Sequence, residues 1–183
     1  MDKKIKTVAF DLGGVLAYQD LSILTEEERY LLNVYMNRNK ENVNREILEY
    51  AKSKIAEIYL KIYKLNSSTI KTLDMLKQEN IKPSIWTNNI KEINSWFESI
   101  NLYRYIRRED IINSFYIGAD KPNKLFYYKA LETLKNMPED ILFLDDNSVN
   151  ILSARECSIN AKEYDMEDDL KETVETEIRK GMK

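Results

Sequence analysis

The sequence of 183 residues contains no histidine and a single cysteine, Cys157. Without histidine, a Ser-His or Cys-His nucleophile, a histidine-ligated zinc site and a histidine general base are all excluded. A single cysteine excludes an intrachain disulfide and a thiolate metal cluster. Any catalysis must therefore use carboxylates, Lys, Arg or hydroxyl groups, with or without a hard metal ion that prefers oxygen ligands.

Glycine and proline are also scarce, and neither occurs between Val15 and Lys82. This stretch is rich in Leu, Ile, Glu and Lys and is predicted to be helical. No apolar run approaches the roughly 20 residues of a membrane span. The net charge is −3 with both signs interspersed, which argues against a dedicated nucleic-acid binder. We therefore expect a cytoplasmic protein that binds neither nucleic acid nor a membrane.

Three helix signals lie within this stretch. The segment from Thr25 to Glu28 is a capping box, and Asn66-Ser67-Ser68 is a second N-cap signal. Between them, apolar residues recur every three or four positions and predict one buried helix face: Ile47, Ala51, Ile55, Ile58 and Ile62.

Strands and helices then alternate along the rest of the chain. Apolar runs predict strands at 5–10, 81–86, 114–117, 141–144 and 159–164. Helices are predicted at 90–100, 122–135 with Pro122 in its first turn, 147–156 and 166–179. This alternation predicts an α/β fold with a parallel sheet and helices on both faces.

Polar residues stand where these predicted strands end. Asp11 follows the first strand and Thr87 the second. Lys121 lies in the loop after the third strand, and Asp145-Asp146 follow the fourth. Because the carboxyl ends of parallel strands face one crevice, we expect these residues to converge there.

The residue types in this group match one kind of chemistry. Adjacent carboxylates at Asp145-Asp146 repel each other, which favours a bound cation, although a simple helix start is an equal alternative for that pair. A carboxylate nucleophile, an acidic pair for Mg²⁺, a hydroxyl donor and a lysine are what phosphoryl transfer through an aspartyl-phosphate requires. None of these steps needs histidine.

Four short motifs around these residues resemble those of the haloacid dehalogenase superfamily. In chain order they are Val8–Leu16, Ile85–Asn88, Gly118–Asn123 followed by Phe126–Leu131, and Ile141–Asn147 followed by Asn150-Ile151 and Ala154. The resemblance implies a Rossmann-like, three-layer fold with a parallel sheet of order 5-4-1-2-3. It also implies a catalytic core of residues 1–17 and 67–183, with a small helical cap inserted at 18–66.

The resemblance also implies roles for individual residues. Asp11 would be the nucleophile, Thr87 and the backbone of Asn88 would bind phosphate, and Lys121 would neutralise both phosphate and nucleophile. The implied reaction is hydrolysis of a small phosphorylated metabolite.

Magnesium is the cofactor that the resemblance implies. Its ligands would be Asp11, the carbonyl group of Gly13 and Asp146, with Asp145 adjoining. Most phosphatases of the family carry a second Asp as general acid and base where this chain has Gly13. Relatives with glycine there include sugar-phosphate phosphatases, so a sugar-phosphate-like monoester is the expected substrate.

Other functions remain open at this point. A catalytically weak or inactive relative could act as a ligand- or partner-binding module. A 2-haloacid dehalogenase also lacks the second Asp, but such enzymes do not keep the acidic pair of the fourth motif. A response-regulator receiver domain carries its acidic pair after the first strand, whereas here Asp145-Asp146 follow the fourth.

Overall fold

The computed structural model describes residues 5–37 and 43–180. They form two compact units. The first, the sheet unit, holds the described residues of Met1–Tyr18, Leu65–Lys91 and Tyr103–Lys183. The second, the helical unit, holds those of Gln19–Lys64 and Glu92–Leu102. The predicted division into core and cap stays a prediction, and it did not group the segment 92–102 with the inserted helices.

The strands are numbered in chain order. They are β1 (Thr7–Phe10), β2 (Ala17–Gln19), β3 (Tyr63–Leu65), β4 (Lys82–Thr87), β5 (Ile111–Asn113), β6 (Ile141–Asp145) and β7 (Asn160–Glu163). Five of them form a sheet in the order β5-β4-β1-β6-β7, with parallel pairing at each step. Numbered among themselves, these five strands have the predicted order 5-4-1-2-3, which is therefore confirmed. β2 and β3 pair as a separate two-stranded sheet.

Strands β1 and β6, at the centre of the sheet, are buried along their whole length. Every residue of β1 and of β6 is buried, which explains why both are continuous apolar runs in the sequence. Phe10 is in register with Ile85 and with Leu144. Asp11 follows Phe10 and Asp145 follows Leu144, so this register brings both aspartates to the same edge of the sheet.

The helices are also numbered in chain order. They are α1 (Glu26–Met36), α2 (Arg45–Ile62), α3 (Thr69–Gln78), α4 (Ile93–Ser99), α5 (Ser114–Ile117), α6 (Lys124–Leu134), α7 (Ser148–Glu156) and α8 (Leu170–Lys180). None of the helices in the described part of the chain combines the length and apolar character that crossing a membrane requires.

The helical unit follows the sequence signals closely. Thr25 and Glu28 form the predicted capping box at the start of α1, with both reciprocal hydrogen bonds present. Helix α2 buries most of the predicted apolar face. Trp96 in α4 donates its indole N–H to the carbonyl of Tyr63 at 3.1 Å, which ties the segment 92–102 to the rest of this unit.

Two predictions about the third motif region were wrong. Residues 114–117 form helix α5 rather than a strand, and the strand is β5, immediately before it. The side chain of Asn113 accepts a hydrogen bond from the N–H of Phe115 and so caps a helical turn, which Gly118 ends in the left-handed conformation. Pro122 precedes α6, whose N-cap is Asn123, and the Lys121-Pro122 peptide bond is cis.

Candidate active site

Asp11 and Lys121 form an ion pair at the carboxyl edge of the sheet. The Lys121 Nζ lies 3.0 Å from Asp11 Oδ1, and their side chains are 1% and 15% exposed respectively. The backbone N–H of Leu12 donates to the same Asp11 oxygen at 2.7 Å. The Asp11 carboxylate is thus held in a fixed position beside a buried ammonium group.

Asp145 is the second partner of Lys121. Its Oδ2 lies 2.6 Å from Lys121 Nζ, and the residue is completely buried. Asn150 Nδ2 donates to both carboxylate oxygens, at 3.0 and 3.1 Å, and the N–H of Asn147 donates to Oδ1 at 2.9 Å. Both oxygens of Asp145 therefore already have protein donors.

Asp146 stands apart from its neighbour because it is exposed. Its carboxylate lies against Gly14, where a Cβ atom would collide with it, and Gly14 has a φ of +75° that favours glycine. Gly13, by contrast, has no heavy atom within 4 Å of the position that a Cβ would take. The two adjacent glycines thus differ: only Gly14 is required by local packing.

The three aspartates form a cluster that suits a divalent cation. One carboxylate oxygen from each of Asp11, Asp145 and Asp146 lies within 4.8 Å of the others. Among the described residues, Lys121 forms ion pairs with two of these carboxylates, Asp11 and Asp145, so the cluster of three keeps an excess of negative charge. Mg²⁺ prefers hard oxygen ligands such as carboxylates, and the excess negative charge of this cluster would favour a cation.

Two carboxyl groups of the cluster have raised pKa values. Burial raises the pKa of Asp11 to about 6, with Lys121 opposing this rise and Asp145 adding to it. Asp146 is open to solvent on one side, yet partial burial raises its pKa, and the neighbouring charge of Asp145 adds to that rise. Both pKa values are raised first by burial and then by the charge of Asp145, and a bound cation would oppose this rise by stabilising the ionised carboxylates.

Thr87 and Asn88 lie at the same edge, at the end of β4. Thr87 is buried and in register with Asn113 of β5. The side chain of Asn88 forms two hydrogen bonds with the backbone of Lys121: its Oδ1 accepts from the N–H at 2.9 Å, and its Nδ2 donates to the carbonyl at 2.8 Å. The phosphate-binding role of these two residues stays a prediction, as does the Gly13 carbonyl as a ligand.

The structure adds three features to the predicted set. They are the contact of Gly14 with Asp146, the side-chain contacts of Asn88, and the contacts of Asn150 with Asp145. The sequence position of Asn150 gives one indication that it is buried. It is a polar residue next to Ile151 and one turn before Ala154, on the face that α7 buries.

Comparison with known proteins shows the family and the shared fold. The sequence pattern of the family "Haloacid dehalogenase-like hydrolase" matches residues 9–162, which is most of the chain. No curated protein matches the sequence.

Solved structures with the same fold include three bacterial proteins. A Had-superfamily hydrolase from Ehrlichia chaffeensis is 21% identical with a TM-score of 0.67, and the match covers 98% of each chain. A HAD family enzyme from Bacteroides thetaiotaomicron, solved with magnesium and inorganic phosphate, is 17% identical with a TM-score of 0.72, over 92% of this chain and 98% of its own. A predicted phosphoglycolate phosphatase from Haemophilus somnus is 15% identical with a TM-score of 0.69, over 94% of this chain and 98% of its own.

These structural similarities establish the shared fold, and the family pattern extends across all four motifs that surround the aspartate cluster. The chain therefore belongs to the haloacid dehalogenase-like hydrolase family.

Proposed function

We propose that this hydrolase is a Mg²⁺-dependent phosphatase that acts on small phosphate monoesters through an aspartyl-phosphate on Asp11. The observation that carries the proposal is the ion pair between Asp11 and Lys121, 3.0 Å apart, within a cluster of three carboxylates. A fixed carboxylate beside a buried cation is suited to attack an anionic phosphoryl group, because the cation offsets the repulsion between the two.

Asp11 attacks phosphorus through one carboxylate oxygen, and the bond from phosphorus to the ester oxygen breaks. Lys121, the Thr87 hydroxyl and the N–H of Asn88 hold the phosphoryl oxygens. The departing oxygen takes a proton from water or from a neighbouring hydroxyl of the substrate. Water then attacks the aspartyl-phosphate, which releases inorganic phosphate and restores the Asp11 carboxylate.

Asp11 and Asp146, with the carbonyl of Gly13, are the groups that we propose as Mg²⁺ ligands. Bound there, Mg²⁺ would offset the charge of the phosphoryl group. Both carboxylate oxygens of Asp145 already accept hydrogen bonds from the protein. We therefore propose that Asp145 adjoins the metal ligands and binds Lys121.

The proposed substrate class follows from Gly13, which cannot donate a proton to the leaving group. Substrates with good leaving groups, such as sugar 1-phosphates, acyl phosphates and aryl phosphates, should be favoured over simple primary-alcohol esters. The bound magnesium and phosphate of the Bacteroides relative support a phosphoryl substrate, and the cytoplasm remains the predicted location.

A phosphate-release assay tests this proposal. The purified protein is screened with Mg²⁺ against sugar 1-phosphates, aryl phosphates and primary-alcohol phosphates, each with a matched sample in EDTA. We expect release that depends on Mg²⁺ and a phosphorylated protein detectable by mass spectrometry after rapid acid quenching. Release that persists in EDTA would contradict the metal requirement. Halide release from 2-haloacids, or no turnover at all, would favour the dehalogenase or the binding module instead.

A further inference from the structure

The backbone of Lys121 is held by a neutral amide side chain, and its ammonium is held by carboxylates, one of which is itself bonded to a second amide side chain. Its backbone N–H and C=O both bond to Asn88, and its ammonium bonds to Asp145, which Asn150 contacts at both oxygens. Lysine has a flexible stem with four rotatable bonds, so a fixed ammonium requires contacts at both ends of the residue.

We infer that Asn88 and Asn150 are the positioning residues of Lys121, with Asn88 holding its backbone and Asn150 holding its ammonium through Asp145. This inference rests on the proposed function only for what Lys121 does once it is in position. The holding itself is a property of the protein without substrate.

Asn88 acts on the loop that carries Lys121. The paired hydrogen bonds, 2.9 and 2.8 Å long, join a side-chain amide to one peptide unit on each side of Lys121, in the manner of two paired strands. They connect the end of β4 to the loop before α6, two segments separated by 33 residues. Asn88 is exposed, so water competes for these bonds and each contributes modestly.

Asn150 acts on the ammonium through a buried contact. Asn150 and Asp145 are both buried, and the Nδ2 group bridges the two carboxylate oxygens. The hydroxyl of Tyr127 donates to the carbonyl of Asn150 at 2.8 Å and fixes that turn of α7. Without the Asn150 amide, Asp145 would keep only the Asn147 N–H and Lys121 itself as partners, so the direction of the closest Lys121 contact would be less firmly fixed.

A neutral amide at position 150 is what the local charge requires. Asp145, Asp146 and Asp11 already crowd the edge of the sheet with negative charge. The amide of Asn150 donates hydrogen bonds to Asp145 without adding charge. A carboxylate at position 150 would instead repel Asp145. Asn150→Asp therefore keeps the size of the side chain while removing both donated hydrogen bonds.

The test measures Lys121 directly, by hydrogen exchange of lysine ammonium groups in protein labelled with ¹⁵N-lysine, in Mg²⁺ buffer. An ammonium group that is 1% exposed and bonded to two carboxylates should exchange slowly, and Lys121→Met identifies its signal. We expect exchange about tenfold faster in Asn150→Asp and Asn150→Ala, because a hydrogen bond to a charged group is lost. In Asn88→Ala we expect an increase of about threefold, because neutral, exposed bonds are lost.

Asn123→Ala is the matched control. It makes the same substitution in the same loop and removes the α6 cap, a bond from Leu125 N–H at 2.9 Å, yet it touches no atom bonded to Lys121. Its Lys121 exchange rate should equal that of the unmodified protein, although its thermal stability falls. Equal exchange rates in the Asn88 and Asn150 variants and in this control would overturn the inference, as would fast exchange in the unmodified protein.

A double-mutant cycle gives a second readout through binding of inorganic phosphate. Where Lys121 is present, Asn88→Ala should weaken phosphate binding about threefold. It should have no effect in a Lys121→Met background, since a positioning residue acts only through the group it positions. An undiminished effect in that background would assign Asn88 a direct role and overturn the inference for it. A protein without turnover contradicts the proposed function, while the exchange measurement still decides the inference.

Discussion

Charged residues are used differently at the carboxyl edge of the sheet unit and in the helical unit. At the edge, Lys121 and Asp145 are buried and bonded to each other and to neighbouring amides. In the helical unit, the pair of Lys52 and Glu49 lies on the surface of α2, with side chains 45% and 71% exposed. The two ion-pair distances are nearly equal, at 2.6 and 2.7 Å.

The difference teaches that distance alone does not measure what an ion pair does. Water and salt screen the exposed pair, and ordering its long side chains costs conformational entropy. The buried pair is screened far less, but its desolvation is costly and every member of the group depends on the others. We therefore expect small, independent effects of substitutions in the helical unit and large, coupled effects at the carboxyl edge of the sheet.

The largest expected effect is that of Asp11→Asn. This variant keeps the shape of the side chain but removes the proposed nucleophile, so turnover should fall on the order of 10⁵-fold or more. Phosphate release under saturating substrate measures it, and circular dichroism should show an intact fold. The control is Asp74→Asn, the same substitution at an exposed position of α3, which should retain full activity. Comparable activity in the two variants would remove Asp11 from the mechanism.

Gly13→Asp should give the next largest effect, as a gain. The open space around the Gly13 Cβ position admits a side chain, and a carboxylic acid there could protonate the leaving group. Hydrolysis of primary-alcohol phosphates should rise by roughly 10²-fold, while aryl phosphates change little. A plot of rate against leaving-group pKa measures this change as a flatter slope. Gly13→Asn is the control of equal size, and equal slopes for Asp and Asn would show that no proton is donated from this position.

The pH dependence of Mg²⁺ binding probes the crowded carboxylates. Because burial raises the pKa of Asp11 to about 6, Asp11 holds a proton below that pH, and Mg²⁺ must displace it. Magnesium affinity should therefore fall about tenfold for each pH unit below 6 and level off above it. Calorimetric titration across this range measures the effect. Asp11→Asn should lose this dependence, and an unmodified protein with the same affinity at pH 5 and pH 6 would contradict the assignment.

The smallest expected effect is that of Lys52→Ala in the helical unit. Loss of its exposed pair with Glu49 should change the free energy of unfolding by about 0.5 kcal/mol or less. Thermal unfolding at low and high salt measures this change, and Glu49→Ala provides the reciprocal control. A loss of several kcal/mol in either variant would show that burial does not separate the two groups of ion pairs.

Much of the fold and of the site was predictable from the sequence, because it depends on local patterns. Apolar runs located β1 and β6, the Thr25 capping box located α1, and the rule for strand ends brought Asp11 and Asp145 together. These features follow from periodicity and chain direction, which one sequence contains.

The rest depended on contacts between distant segments. Residues 114–117 have apolar and aromatic character typical of a strand, but the Asn113 cap and Gly118 make them a helical turn. The short strands β2 and β3 are stabilised by pairing with each other. Because this pairing joins distant segments, neither strand shows a strong pattern in the local sequence. The family resemblance implied different roles for Asp145 and Asp146, but the contacts that distinguish them, with Asn150 on one side and Gly14 on the other, could not be predicted.

The two tryptophans of the chain make each unit visible separately in fluorescence. Trp86 lies in the sheet unit, fully buried against Phe143, and its indole N–H has no hydrogen-bond partner within the described residues. Trp96 lies in the helical unit and donates its indole N–H to Tyr63. An indole in an apolar, unbonded environment emits at shorter wavelength than one that donates a hydrogen bond. Variants that keep one tryptophan each would therefore report the unfolding of each unit on its own, without an attached dye.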